Sequence, residues 1–167
     1  TGKVKAPQNV IVVALASYNV SGILNRGSFS RANQNGPEEY GFRGNARHYD
    51  LNRDFIKTDT KNSRSFQQIF HWVKPDVFID NHVSNGADYQ YTFTYISTNK
   101  ERLGNLLGNY FNNNMQKTLL KDLQEKGFMS VPYVNIHNDV PDGGFPTFMD
   151  SPRYATGYTS LFNVIGT

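Results

Sequence analysis

Two groups of side chains in this chain have the types and spacing that chemistry requires. The first is His82, near the end of Val77-Phe78-Ile79-Asp80-Asn81-His82-Val83. An imidazole at the carboxyl end of a strand is well placed to ligate zinc, and Asp80 or Asn81 could orient it from behind. The competing reading is a histidine merely satisfied at a strand end. One histidine is not a metal site. The second group is the string Asn45-Ala46-Arg47-His48-Tyr49-Asp50-Leu51-Asn52-Arg53-Asp54-Phe55, dense in directional donors and acceptors. Asn52 and Arg53, adjacent on a loop, can grip a carboxylate, with the guanidinium binding both oxygens and the amide adding one bond. Against this stands a local explanation, in which Asp50, Arg53 and Asp54 pair nearby and Asn52 caps a turn.

These groups must be carried by regular elements, and the patterning alternates strand and helix. Residues 9–16 (NVIVVALA) form a continuous apolar, β-branched run, the pattern of a strand buried on both faces. Residues 17–61 are rich in Gly, Asn, Ser, Arg and Pro and read as a long structured loop, a feature usually tied to function. A helix is expected over 62–73, with Phe66, Ile69, Phe70 and Val73 on one face and Lys74-Pro75 as its stop. Residues 77–83 (VFIDNHV) read as a second buried strand, and 89–97 as a half-exposed one. The next helix starts at a Thr98-x-x-Glu101 capping box. It carries the stripe Leu103, Leu106, Leu107, Tyr110 and Phe111, and ends at Gly127. A strand over 128–136 and a Pro/Gly-rich loop to Pro152 follow. This order predicts an α/β fold of three layers (α/β/α) with a mixed, mostly parallel sheet. In such sheets a ligand sits at the carboxyl ends of the strands, where His82 falls.

Composition narrows the classes. The 167 residues suit one domain or part of one, and 38% hydrophobic with 19% charged residues argues against disorder. No stretch approaches the roughly 20 apolar residues that span a bilayer. Absence of cysteine excludes disulfides, thiol catalysis and sulfur-ligated zinc, and leaves the compartment open. The net charge of +3 is uneven: residues 1–64 hold ten Lys/Arg against five Asp/Glu. Five of the six arginines there (Arg26, Arg31, Arg43, Arg47 and Arg53) are scattered among Gly and Asn. A nucleic-acid face would cluster them with stacking aromatics. Their scatter fits recognition of a small anion such as a carboxylate.

Several of these segments, in this order, resemble the zinc carboxypeptidases of the M14 type. Leu15-Ala16-Ser17-Tyr18-Asn19-Val20-Ser21-Gly22 is similar to that family's strand and Asn-Pro-Asp-Gly turn, with Val20 and Ser21 in place of Pro and Asp. Arg31-Ala32-Asn33-Gln34-Asn35-Gly36-Pro37 resembles the segment bearing its oxyanion-stabilising arginine. Asp50-Leu51-Asn52-Arg53-Asp54-Phe55 resembles its Asn-Arg motif for the substrate carboxylate, and Ile79-Asp80-Asn81-His82 the strand end bearing its third zinc ligand. The resemblance covers residues 10–97 strongly and the rest weakly. It implies that His82 binds zinc, that Asn52 and Arg53 hold the terminal carboxylate of a peptide or protein, and that Arg31 stabilises the oxyanion. It further implies that Tyr154 or Tyr158 closes over the substrate, and that the setting is secreted or periplasmic. Zinc would polarise the scissile carbonyl and acidify bound water.

The departures matter as much. The family's first two ligands lie in a His-x-x-Glu motif, and here the residues three after His48, His71, His82 and His137 are Leu51, Lys74, Asn85 and Val140. Its general-base glutamate follows the tyrosine loop, whereas the last Glu of this sequence is Glu125. The expectation is therefore a single partial domain over 1–167, a middle segment inactive by itself. A zinc amidase or deacylase on the same scaffold, and a peptidase-like binding module without a metal, are the alternatives.

Overall fold

The computed structural model describes residue 5 and residues 7–30, 37–83, 89–98 and 100–133. Four α-helices, α1 (Val20–Leu24), α2 (Lys61–Val73), α3 (Lys100–Tyr110) and α4 (Gln116–Glu125), accompany four short strands among these residues. The strands are β1 (Arg26–Gly27), β2 (Tyr40–Gly41), β3 (Phe93–Tyr95) and β4 (Ser130–Pro132). The architecture mixes helix and strand, in keeping with a general α/β class. No helix among the described residues is long and apolar enough to cross a membrane.

Helix α2 forms for reasons visible in its sequence. Thr60 caps it, its hydroxyl oxygen accepting from the Ser63 amide, and Lys74 ends it in a left-handed conformation at φ 48°. Pro75 then follows, as the sequence predicts. Phe66 and Phe70, one turn apart, are the buried positions of its apolar face. Around them gathers an aromatic core. Phe66 meets Tyr18, Phe55, Phe70 and Phe78 at centroid distances of 5.8, 5.4, 5.8 and 5.7 Å. Tyr18 also stacks on Phe55 at 6.2 Å. The edge-to-face geometry of several pairs adds to the area they bury.

Strands β3 and β4 run parallel, with Phe93 opposite Ser130 and Tyr95 opposite Pro132. Parallel neighbours need a crossover, and α3, a π-helical turn at Phe111–Met115 and α4 supply it. The expected strand–helix–strand unit is therefore present here. Its helix is not the single straight rod that the leucine stripe suggested. Gly104 interrupts it at φ 75°, ψ 171°, a conformation essentially restricted to glycine, and Leu106 is 90% exposed. Gly127 ends α4 as expected, at φ 82°. Its amide donates to Gln124 and that of Phe128 donates to Leu123, the paired bonds of a Schellman motif. Of the strand expected over 128–136, β4 forms the described part, and residues 134–136 lie outside the described residues.

Two expected strands are not formed. Residues 9–16 have no strand pairing among the described residues, and Val10, Ile11, Val12 and Val13 face solvent, Ile11 being 92% exposed. Residues 77–83 also lack strand structure. Phe78 alone packs on the core, while Ile79 is 75% exposed. An apolar β-branched run specifies a strand only when a neighbour completes its hydrogen bonds and covers its faces. Sheet structure among the described residues is limited to β1–β2, antiparallel, and β3–β4. The loop over 17–61 in turn holds more than expected: α1, the β1–β2 pair and a 3-10 turn at Leu51–Arg53.

Phe66 is the ring that joins the segments at Tyr18, Phe55 and Phe78 to α2. Phe66→Ala should lower stability by about 3–5 kcal/mol, read as a fall in the urea midpoint with an unchanged slope.

Candidate functional site

Asn52 and Arg53 lie on the 3-10 turn Leu51–Arg53, which the sequence shapes from both ends. Before it, Asp50 caps the turn, its Oδ1 accepting the Asn52 amide at 3.0 Å. After it, Asp54 is 5% exposed and accepts four hydrogen bonds. Its Oδ1 accepts the Asp59 amide at 2.9 Å. Its Oδ2 accepts the Thr60 amide at 3.0 Å, the Thr60 hydroxyl at 2.7 Å and the Ser63 hydroxyl at 2.6 Å. Each hydroxyl has one proton to give, so Ser63, having given its own to Asp54, accepts from the Tyr18 phenol at 3.1 Å. The turn is thereby fastened to the first residues of α2.

Upstream, residues 42–50 fold back as a tight loop closed by a bridge between Gly44 and Asp50. Asn45 organises it. Its Oδ1 accepts the Arg47 and Tyr49 amides at 2.9 and 3.1 Å, and its Nδ2 donates to Asn62 Oδ1 at 3.4 Å. Asn62 donates in turn to the Tyr18 carbonyl at 3.0 Å. Asn19 holds the other side, its Nδ2 donating to the Arg43 and Gly44 carbonyls, both at 3.1 Å, while its Oδ1 caps α1 through Gly22. His48 adopts φ 62°, and its ring meets the Phe42 ring edge-on at 5.3 Å. Arg43 reaches Asp50, with Nε and Nη2 at 2.9 and 2.8 Å from the same oxygen, Oδ2.

The structure thus brings Asn52 and Arg53 together, both half-buried, and Arg53 Nη1 donates to the Asn52 carbonyl at 2.9 Å. The local explanation of this string also holds in part. Asp50 caps the turn, although Asn52 is the capped residue and not the cap. Asp54 is engaged by α2 and its approach. His82 is exposed, and its Nε2 lies 2.7 Å from Asp80 Oδ2. Of Asp80 and Asn81, it is Asp80 that contacts the ring. Arg31 and Tyr154 lie outside the described residues, as do Tyr158 and His137. Among the described residues no group of three or more His, Asp or Glu side chains is arranged to hold a metal ion. One imidazole with its carboxylate does not make a zinc site.

Tyr18, Asn45, Thr60, Asn62 and Ser63 position this region, and none is evident as a site residue from its type. Thr60 had the clearest signal, a hydroxyl residue just ahead of a helical pattern. Tyr18 links the two candidate groups electrostatically. Burial raises its phenol, and the charges of Asp54 and Asp80 add to the rise. No protein-family model, curated protein or solved structure matches the chain significantly.

Burial acts to raise the Asp54 carboxyl, but the hydrogen bonds from Ser63 and Thr60 and from the Asp59 and Thr60 amides outweigh it, leaving it below its usual value. A carboxylate lowered on folding stabilises the fold above its unfolded pKa of about 3.9, and that contribution fades as pH falls through the lower folded value. Asp54→Asn should therefore cost on the order of 2–3 kcal/mol at pH 7. Urea midpoints should show the gap to wild type narrowing below about pH 4.

Proposed function

We propose that this chain acts in the manner of an M14-type zinc carboxypeptidase and contributes the grip on the terminal carboxylate of a peptide. The observation that carries this reading is the 3-10 turn with Asn52 and Arg53 in succession, capped by Asp50 and fastened through Asp54. A planar guanidinium beside an amide, both on a pinned backbone, suits a carboxylate, because the donors need little reordering on binding. The scattered arginines of the first 64 residues fit the same anionic target.

In this reading Arg31 stabilises the oxyanion and Tyr154 or Tyr158 closes over the substrate. His82 is one zinc ligand, set by Asp80. The metal would require two further ligands and a general base, and the sequence holds no His-x-x-Glu and no Glu after Glu125. What Asn52 and Arg53 carry by themselves is recognition. The three-layer α/β/α arrangement belongs to the same proposal, although residues 9–16 and 77–83, its inner strands in that arrangement, form no strand in the structure.

Two outcomes test the reading. The 167-residue chain should bind zinc weakly and below one equivalent after dialysis, and should not turn over carboxypeptidase substrates. Stoichiometric zinc with chelator-sensitive turnover would show a complete site and overturn this division of roles. The carboxylate grip is tested by Arg53→Ala, measured by NMR titration with a short peptide as free acid and as C-terminal amide. The bond lost is worth about 1.5–3 kcal/mol, so affinity for the acid should fall by roughly one to two orders of magnitude while the amide is indifferent. Equal effects on both would make Arg53 structural.

A further inference from the structure

The two oxygens of Asp50 are divided between different tasks. Oδ2 takes both donors of the Arg43 guanidinium, Nε at 2.9 Å and Nη2 at 2.8 Å, while Oδ1 takes the Asn52 amide at 3.0 Å. The torsion that sets which oxygen faces which donor is broad and nearly two-fold for an aspartate. The Asn52 amide alone does not fix it. A fork on one oxygen does, since rotating the carboxylate would break two charge-assisted bonds together. Arg43 is itself seated in the loop whose carbonyls at Arg43 and Gly44 are held by Asn19.

Charge gives the pair a second effect. Asp50 lies two residues from Asn52, so its unbalanced negative charge would oppose any anion arriving at that turn. A guanidinium on one oxygen and a backbone N–H on the other offset that charge.

We propose that Arg43 is a positioning residue of the carboxylate grip: by holding Asp50 Oδ2 it leaves Oδ1 to fix the Asn52 amide and removes the charge that would repel a substrate carboxylate. This rests on the reading of Asn52 and Arg53 given above. Arg43 is not a ligand of the substrate in this scheme, and it acts only through Asp50. Two consequences separate it from a residue that merely stabilises the loop. Its loss affects acid ligands and not amides, and removing the charge of Asp50 compensates for it.

The experiment is an NMR titration of the 167-residue chain with N-acetyl-L-phenylalanine and with its C-terminal amide, after circular dichroism has checked that each variant folds. Arg43→Met should weaken the acid by about tenfold, leave the amide unchanged and displace the Asn52 amide resonance. Adding Asp50→Asn to Arg43→Met should restore acid affinity to within about threefold of wild type, because asparagine keeps an oxygen acceptor and drops the charge. If Arg53→Ala loses the acid while Arg43→Met keeps it, or if the double variant recovers nothing, the role of Arg43 falls and the reading of Arg53 stands. If wild type shows no preference for acid over amide, or Arg53→Ala binds the acid as wild type does, the grip itself falls and this inference with it. Should Arg43→Met fail to fold, Asp50→Asn alone decides: it must bind the acid at least as tightly as wild type, and weaker binding overturns the proposal.

Discussion

Asp54 accepts hydrogen bonds from two backbone amides and two hydroxyls, and through them the 3-10 turn at Leu51–Arg53 is tied to the first turn of α2. Its neighbour Phe55 points into the aromatic core, against Phe66 and Tyr18. The backbone is therefore held on one side by a buried carboxylate and on the other by stacked rings. Ordering each residue of a long polar loop costs about 1–2 kcal/mol of backbone entropy, and the segment 17–61 has few apolar side chains with which to offset it. Buried polar bonds with charge assistance are the available substitute. Asn45, Asn19 and Asn62 extend the same solution along the loop, each using one amide to satisfy main-chain or side-chain groups far apart in sequence. The abundance of asparagine, which has no chemistry by itself, here becomes the means by which a loop poor in apolar residues holds a shape.

What was legible in the sequence was local. Helix α2 and its stop at Lys74-Pro75, the glycine that ends α4, and the separate strand signals at β3 and β4 all rest on patterns within a few residues. The adjacency of Asn52 and Arg53 was legible for the same reason. Residues 9–16 and 77–83 show the opposite case. Their composition states what kind of neighbour they need, but pairing is a property of two segments, and no pattern within one of them reports whether the other is in place. The stripe from Leu103 to Phe111 misled differently, since Gly104 lies inside it and its conformation breaks the face that the spacing implies.

Within the candidate site the unreadable part was the support. Arg43 meets Asp50 across seven residues, Asn45 meets Asn62 across seventeen, and Tyr18 meets Ser63 across forty-five. None of these pairs has a spacing that marks it, because each depends on how the loop folds back onto α2. Thr60 and Ser63 look like ordinary helix-start residues, and only burial shows that their hydroxyls face a carboxylate; Ser63 is 1% exposed.

The two explanations of the 45–55 string, local pairing and a grip on an external carboxylate, were set against each other by residue type alone. The geometry makes them compatible. An anion site flanked by Asp50 and Asp54 is electrostatically unfavourable unless both charges are already engaged. Asp54 spreads its charge over four donors at 2.6–3.0 Å, and Asp50 divides its own between Arg43 and the Asn52 amide. The local pairs are thus what would let an anion be received at Asn52 and Arg53 with two aspartates beside it. They also fix the backbone from which those donors project, so the ordering is completed during folding and not at the moment of binding.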